Sequence, residues 1–163
     1  MIEGFKETAK GTYLCAEETT DWRGLHDAIG RVSAAVKSEL AALATSRTGP
    51  ATLFYHFEND PNRPEGKGGK FVVEAQDPVS SDEESIRAYR GSLLLKTVPR
   101  AECAFLIHQG PIPRDGLPWW RVRQLAEASG RKRTLQEREI YLHYRGAGDA
   151  DNVIELQCIL APA

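Results

Sequence analysis

The chain has 163 residues, 41% of them hydrophobic and 27% charged, and its formal net charge at pH 7 is −2. This length fits one domain, or two small repeated units that share a core. The hydrophobic content excludes a disordered chain, and the near-neutral charge argues against a dedicated nucleic-acid-binding protein, which usually carries a basic excess.

The first half of the chain predicts a strand, a long helix and two further strands. The run T-Y-L-C-A-E-E at 12–18 precedes an amphipathic helix at 21–44, and the runs T-L-F-Y-H-F-E at 52–58 and K-F-V-V-E-A-Q at 70–76 follow it. A loop rich in proline and glycine separates the last two runs. This order of elements defines a strand-helix-strand-strand unit.

The helix at 21–44 gives the strongest secondary-structure signal in the chain. Its apolar residues recur at spacings of three and four, which places them on one face. They are Trp22, Leu25, Ile29, Val32, Val36, Leu40 and Leu43. We predict that Thr19 or Thr20 caps this helix and that Trp22, the first residue of the apolar face, lies in the core.

The second half repeats the order of the first in outline. The runs S-L-L-L-K-T-V at 92–98 and A-F-L-I-H-Q at 104–109 lead into a shorter helix at 118–129. The runs R-E-I-Y-L-H-Y at 138–144 and N-V-I-E-L-Q-C at 152–158 follow that helix. The two halves therefore predict the same succession of elements.

This succession predicts an α+β fold of duplicated strand-helix-strand-strand units with pseudo-twofold symmetry. Repeat one covers about residues 1–78, a linker about 79–90 and repeat two about 91–163, within a single domain of residues 1–163. We expect an antiparallel sheet, two main helices on one side of it and a ligand groove between the repeats. The opposite, helix-free face of the sheet is expected to line that groove.

The cysteines and histidines show no pattern of a metal site or a disulfide framework. Cys15, Cys103 and Cys158 are widely spaced without a C-x-x-C pair, and the four histidines lack metal-ligand spacing. The sequence has no leader and no apolar stretch long enough to span a membrane. We therefore predict a cytoplasmic protein with free thiols, without a metal, a cofactor or a membrane partner.

A carboxylate stands among apolar and aromatic residues in R-E-I-Y-L-H-Y. Alternation along a strand places Glu139, Tyr141 and His143 on one face. When the tyrosine-bearing strands of the two halves are aligned, the matching residues are Leu53, Tyr55 and Phe57. A buried carboxylate is costly unless it is paired. Glu139 therefore either serves a ligand in a partly enclosed site or is solvated on an ordinary exposed face.

Several short motifs, in this order, carry a family resemblance. They are G-P-A-T-L-F-Y-H at 49–56, F-V-V-E at 71–74, H-Q-G-P at 108–111, E-I-Y at 139–141 and V-I-E-L-Q at 153–157. Together they resemble the GyrI-like effector-binding domain, a family that includes the drug-binding domains of several bacterial multidrug-responsive regulators. The resemblance covers nearly the whole chain. One departure is E-E-T-T in the first half, where the second half has H-Q-G-P.

The resemblance implies a fold of two strand-helix-strand-strand units with a groove between them. It also implies ligands that are bulky, aromatic and often cationic, with the glutamate of the E-I-Y motif, here Glu139, as counter-charge. Since 163 residues leave no room for the helix-turn-helix of the regulators, we expect a stand-alone protein that does not bind nucleic acid directly.

The aromatic residues are candidates for the walls of the groove. Trp119 shares a helix face with apolar residues and is predicted to pack into the core, whereas Trp120 lies on a polar face and is either a surface residue or part of a groove wall. Tyr55 and Tyr141 either meet a ligand or pack across strands. The candidate ligand-binding residues are Glu139, Tyr141, Tyr55, Phe57, Trp120, Trp119, Leu53 and His143.

Three functions stay open on the sequence alone. The first is a multidrug-type binding protein for aromatic, lipophilic cations. The second, implied by the resemblance, is a hydrolase that opens the cyclopropane ring of DNA-alkylating natural products, with Glu139 activating water and Tyr141 or Tyr55 assisting. The third is a module that inhibits a protein partner, as some relatives are thought to inhibit a topoisomerase.

Overall fold

The chain folds as one antiparallel sheet of eight strands with three helices, in a computed structural model that describes residues 2–63, 68–80 and 82–163. The strands are β1 (Ile2–Thr8), β2 (Gly11–Thr20), β3 (Thr52–Phe57), β4 (Phe71–Pro78), β5 (Leu94–Val98), β6 (Ala101–Gln109), β7 (Arg133–His143) and β8 (Val153–Leu160). The helices are α1 (Leu25–Ala42), α2 (Glu83–Ala88) and α3 (Leu117–Ala128). The predicted α+β class and the antiparallel sheet are confirmed.

The strand order is β1-β6-β8-β7-β3-β4-β2-β5. The series β2-α1-β3-β4 and β6-α3-β7-β8 thus lie side by side and meet where β3 pairs with β7, with Leu53 directly opposite Glu139. The sequence did not predict β1, which pairs with β6, while β5 pairs with β2. Each edge strand therefore pairs with a strand from the opposite half of the chain: β1 of the first half with β6, and β5 of the second half with β2. That the two halves are copies of one unit stays a prediction.

The start of α1 differs from the prediction. Strand β2 continues through Thr20, so Thr19 and Thr20 pair within the sheet and do not cap the helix. The carboxylate of Asp21 instead accepts a hydrogen bond of 2.8 Å from the backbone N–H of Gly24, the residue that precedes the helix. The helix is consequently shorter at its beginning than its apolar pattern predicted. Helix α2 lies within the segment predicted as a linker.

Both main helices pack on the same face of the sheet, which we call the helix face. Helix α1 covers β2 and β4, and helix α3 covers β6 and β8. The buried apolar residues of α1 are Ala28, Val32, Val36 and Leu40, and those of α3 include Val122 and Ala126. Strands β3 and β7 lie between the two helices. A cleft over the middle of the sheet is the consequence.

The prediction that the helix-free face lines the groove is wrong. Tyr55 packs in the apolar cluster beneath α1, and its hydroxyl contacts Glu139, so both residues point to the helix face. The physical reason is the spacing of the helices, because each one packs mainly on its own pair of strands and neither lies directly over the central pair, β3 and β7.

The helix-free face is unusual because it buries charged and amide side chains. Its buried charged and amide residues are Glu74, Gln76, Arg138, Glu155 and Gln157. Lys96 and Lys6 pair with Glu74 and Glu155 respectively. Glu74 also accepts hydrogen bonds from Gln76 at 2.9 Å and contacts the His56 ring at 3.2 Å. These partners offset the cost of burying the carboxylates.

The partners of Glu74 predict a pH-dependent stability. Burial alone would raise the pKa of Glu74, but hydrogen bonds from His56, Lys96 and Gln76 outweigh it and lower the pKa to about 2 from an ordinary value of 4.5. Glu74 therefore stabilises the fold fully above pH 4.5, and this contribution is lost as the pH falls toward 2.

We expect Glu74→Gln to lower the free energy of unfolding by about 2–3 kcal/mol at pH 7 and by progressively less at acidic pH. Urea denaturation of both proteins across this pH range measures the difference. A deficit that persists unchanged in acid would mean that the variant disturbs packing and not the charge network.

None of the helices within the described part of the chain is long and apolar enough to cross a membrane. Cys15, Cys103 and Cys158 are buried, free thiols. Burial raises the pKa of Cys15 to about 12 and that of Cys103 to about 11, so both stay protonated at neutral pH.

Candidate functional site

Glu139 lies on the floor of the cleft between α1 and α3, where β7 meets β3. Its Oε1 accepts a hydrogen bond of 2.8 Å from the Tyr55 hydroxyl, and its Oε2 accepts one of 2.5 Å from the Tyr141 hydroxyl. Strand alternation puts Glu139 and Tyr141 on one face, and the register with β3 brings Tyr55 beside them. Tyr55 is buried, whereas Glu139 and Tyr141 keep some accessible surface. Two phenol hydroxyls thus hold the carboxylate at the foot of the cleft.

The electrostatics of this cluster are set by burial. Burial raises the pKa of Glu139, the hydroxyls of Tyr141 and Tyr55 partly lower it, Glu137 raises it and Arg123 lowers it. The net result is a pKa above the ordinary value of 4.5. Burial and the charge of Glu139 raise the pKa of both tyrosines well above 10, so their hydroxyls remain protonated donors. A cation placed beside Glu139 would favour its ionised form.

A row of aromatic rings extends from this cluster toward the surface. Phe57 stacks on Tyr55 with centroids 5.9 Å apart, and Trp22 stacks on Phe57 at 5.7 Å. Phe71 lies 5.1 Å from Phe57, and Trp119 meets the Tyr55 ring edge-on at 6.1 Å. The prediction that Trp22 lies in the core is wrong. Trp22 precedes α1 in the chain, and at the outer end of this row the residue is 39% exposed. The sheet and α3 thus supply an aromatic wall beside Glu139.

One cation of the chain itself lies on this wall. The Arg123 guanidinium lies 5.6 Å from the Trp119 ring centroid and 5.9 Å from that of Phe57. It also forms two hydrogen bonds of 2.8 Å to the carboxylate of Glu137. The sequence did not identify Arg123, because it falls on the polar face of its helix and its partner belongs to a separate strand. Its position shows that these rings accept a delocalised cation.

A groove of about 790 Å³ lies next to the Glu139 cluster, between α1 and the end of β7. Its volume is in the range of small-molecule sites. Leu53, Tyr141 and His143 line it, together with Ile29 and Leu40 of α1. Glu139 does not itself line the groove; the Tyr141 ring stands between the two, since it lines the groove while its hydroxyl holds the carboxylate.

The candidate residues therefore fall into three groups. Glu139, Tyr141, Tyr55, Phe57 and Trp119 form one contiguous cluster, joined by the contacts given above. Leu53 and His143 line the adjacent groove. Trp120 is 50% exposed and belongs neither to the cluster nor to the groove lining, a position that fits a surface residue.

Sequence reasoning also missed Phe71, although its strand offered a signal. Phe71 and Val73 alternate along β4 and are both buried on the helix face. No group of three or more His, Cys, Asp or Glu residues in the described ranges is arranged to hold a metal ion. The site brings together one carboxylate, two phenols and the aromatic wall.

The fold and site define a class: an α+β protein with an aromatic, acid-containing cleft between two helices of one antiparallel sheet. No family model and no curated protein matches the sequence. Solved structures share the fold. EcmrR in a complex with DNA is 16% identical with a TM-score of 0.70, and the match covers 99% of this chain but only 58% of that one.

Two further structures match over nearly their whole length. SAV2435 bound to tetraphenylphosphonium is 12% identical with a TM-score of 0.66, and the match covers 99% of this chain and 94% of that one. A hydrolase from Listeria innocua is 13% identical with a TM-score of 0.58, and the match covers 98% of this chain and 91% of that one. At these identities the comparisons establish a common fold.

Proposed function

We propose that this chain is a GyrI-like binding protein for bulky aromatic, lipophilic cations, with Glu139 as counter-charge. The observation that carries the proposal is the carboxylate of Glu139 at the foot of an aromatic wall. Its hydrogen-bond partners are two neutral phenols, and among the described residues no lysine or arginine lies within ion-pair distance of it. Its negative charge is therefore only partly compensated within the protein.

A ligand cation would supply the missing compensation. A delocalised cation loses less hydration on entering such a site than a compact ammonium does, and each aromatic contact adds roughly 0.5–2 kcal/mol. The binding of tetraphenylphosphonium by SAV2435, which has the same fold, supports a ligand of this class. The match with the DNA-bound EcmrR covers only 58% of that chain, so the DNA binding of the whole EcmrR protein does not carry over to this chain.

A pair of ligands of equal shape and opposite charge tests this function. We expect calorimetry to show binding of the tetraphenylphosphonium cation and at least roughly tenfold weaker binding of the tetraphenylborate anion, because only the cation complements Glu139. Equal affinity for the two ions would contradict the proposal, since shape and apolar contact alone would then explain binding.

A second candidate function is hydrolysis of a cyclopropane-bearing alkylator. The raised pKa of Glu139 brings its basicity closer to that of a general base at neutral pH. The hydroxyl of Tyr141, 2.5 Å from the carboxylate, is placed to assist. In this reaction water attacks a ring carbon, Glu139 takes the water proton, and the electrons of the broken C–C bond move into a conjugated carbonyl. The carbonyl oxygen takes a proton from solvent, and Glu139 returns its proton to solvent, so that one water is added in total and Glu139 is regenerated. The hydrolase from Listeria innocua has the same fold.

Product analysis separates the two functions. Incubation with a cyclopropane-bearing alkylator is expected to give a ring-opened product one water heavier, with many turnovers per protein, and Glu139→Gln is expected to abolish turnover. Stoichiometric binding without a water-added product would exclude hydrolysis of that substrate and leave the binding function in place.

A further inference from the structure

A second carboxylate, Asp77, lines the groove that lies next to the Glu139 cluster. It belongs to β4, and its side chain points to the helix face, as do those of Ala75 and Val73, two and four residues before it. Only 13% of the Asp77 side chain is exposed, yet it contributes to the lining of the 790 Å³ groove. Asp77 is therefore a largely desolvated carboxylate that is accessible from a cavity.

The charge of Asp77 is poorly compensated. Among the described residues, the only charged group within 4 Å is Arg47, whose Nε lies 3.9 Å from Oδ2, and no hydrogen bond reaches either carboxylate oxygen. Arg47 is 46% exposed on the segment that follows α1. An ion pair at 3.9 Å whose cationic partner is exposed to solvent contributes little. Burial raises the pKa of Asp77 and Arg47 only partly offsets it.

Asp77 and Glu139 stand at two ends of one apolar surface. Leu53 pairs with Glu139 on one side and with Ala75 on the other, so the two carboxylates are two strands apart and offset by two residues. Strand spacing and rise put their Cα atoms about 12 Å apart. Leu53, Ala75 and Tyr141 line the groove between them.

We propose that Asp77 is a second anionic subsite of the groove and that the preferred ligands are elongated dications with an apolar middle. One charged end displaces Arg47 from Asp77, the apolar middle covers Leu53 and Ala75, and the other end reaches Tyr141 and Glu139. This inference rests on the proposed binding function and specifies its ligand class. Lys37 and Arg47 also line the groove, but both are exposed, so that solvent and salt screen their repulsion.

A matched pair of probes tests the subsite. The dication is a bisquinolinium with a decamethylene linker, and the monocation is a quinolinium with a decyl chain. We expect the protein to bind the dication at least roughly tenfold more tightly, and Asp77→Asn to bring the ratio of the two affinities close to one. Glu7→Gln on the distant edge strand β1 removes the same formal charge and is expected to keep the wild-type ratio.

A second variant tests the subsite independently of whether Asp77→Asn folds. Arg47→Gln removes the internal competitor of the ligand at an exposed position, so the affinity for the dication is expected to rise severalfold. An unchanged ratio in a folded Asp77→Asn, or no gain in Arg47→Gln, would overturn the subsite. Tighter binding of an anionic naphthalenesulfonate dye that Arg47→Gln abolishes would overturn it as well.

The tetraphenylphosphonium titration separates failure of the subsite from failure of the function. Binding of tetraphenylphosphonium without any advantage of the dication would refute the subsite alone. Absence of binding by every cation would refute the proposed function itself.

Discussion

Replacing Glu139 with glutamine is expected to weaken the binding of tetraphenylphosphonium roughly 30-fold or more. Glutamine has nearly the same shape and can still accept a hydrogen bond from Tyr55 or Tyr141, so the change removes the charge and leaves the packing of the cleft in place. Loss of one member of a desolvated charge pair typically costs 2–5 kcal/mol or more, which sets this magnitude. Isothermal titration calorimetry of both proteins measures it.

The pH dependence provides an independent check of the same residue. Cation binding favours the ionised carboxylate, so affinity should fall as the pH drops through the pKa of Glu139, which is raised by burial. The Glu139→Gln variant should lack this dependence. Because the hydroxyl of Tyr141 lowers the pKa of Glu139, Tyr141→Phe should move the loss of affinity to a higher pH.

Tyr55→Phe is the matched control for the charge. It removes one hydrogen bond to Glu139 but keeps both the carboxylate and the aromatic wall, so its effect should be clearly smaller than that of Glu139→Gln. Equal affinity of wild type and Glu139→Gln for the cation would remove Glu139 as the counter-charge and direct attention to Asp77.

The helices and central strands could be predicted because their signals are local. The apolar period of α1 and the alternation in β3 and β7 are properties of neighbouring residues, and the structure forms elements at those positions. Strand β1 could not be found in the same way. Its partner β6 lies roughly a hundred residues away, and most of its own residues are exposed or only partly buried, so it has no clear alternation.

The error at Trp22 has a different origin. Its spacing to Leu25 fits a helical face, but β2 continues to Thr20 and Asp21 takes part in the turn that begins α1. Trp22 consequently stacks on Phe57 instead of extending the helical core. Spacing alone does not reveal where a strand ends and a helix begins.

The sequence predicted which side chains share a strand face, because alternation along a strand is a local property. Aligning the two tyrosine-bearing strands matched Glu139 with Leu53 as equivalent positions of the two halves, but it did not predict that β3 and β7 pair or that these two residues lie opposite each other. Arg123 and Asp77 were not predicted. Their roles depend on which elements stack above the sheet and which residues follow α1, and neither is encoded in a local pattern.

The buried pair of Arg123 and Glu137 next to the site is expected to dominate the stability of this region. Glu137 is 1% exposed and Arg123 8%, and two parallel hydrogen bonds of 2.8 Å join them. Glu137→Gln leaves the guanidinium buried without a counter-charge, so we expect the free energy of unfolding to fall by about 3–5 kcal/mol. Denaturation in urea measures this loss.

The exposed pair of Arg121, which lies on the same helix as Arg123, and Glu3 of β1 is the matched control. It also forms two side-chain hydrogen bonds, but at the surface, so Glu3→Gln should cost far less. An equally large loss in both variants would mean that burial does not determine the cost. The double variant Arg123→Met, Glu137→Leu should recover most of the stability, because an apolar pair of similar volume needs no compensating charge. It also removes the internal cation from the rings of Phe57 and Trp119, so it should bind tetraphenylphosphonium at least as tightly as the wild type if those rings belong to the ligand site.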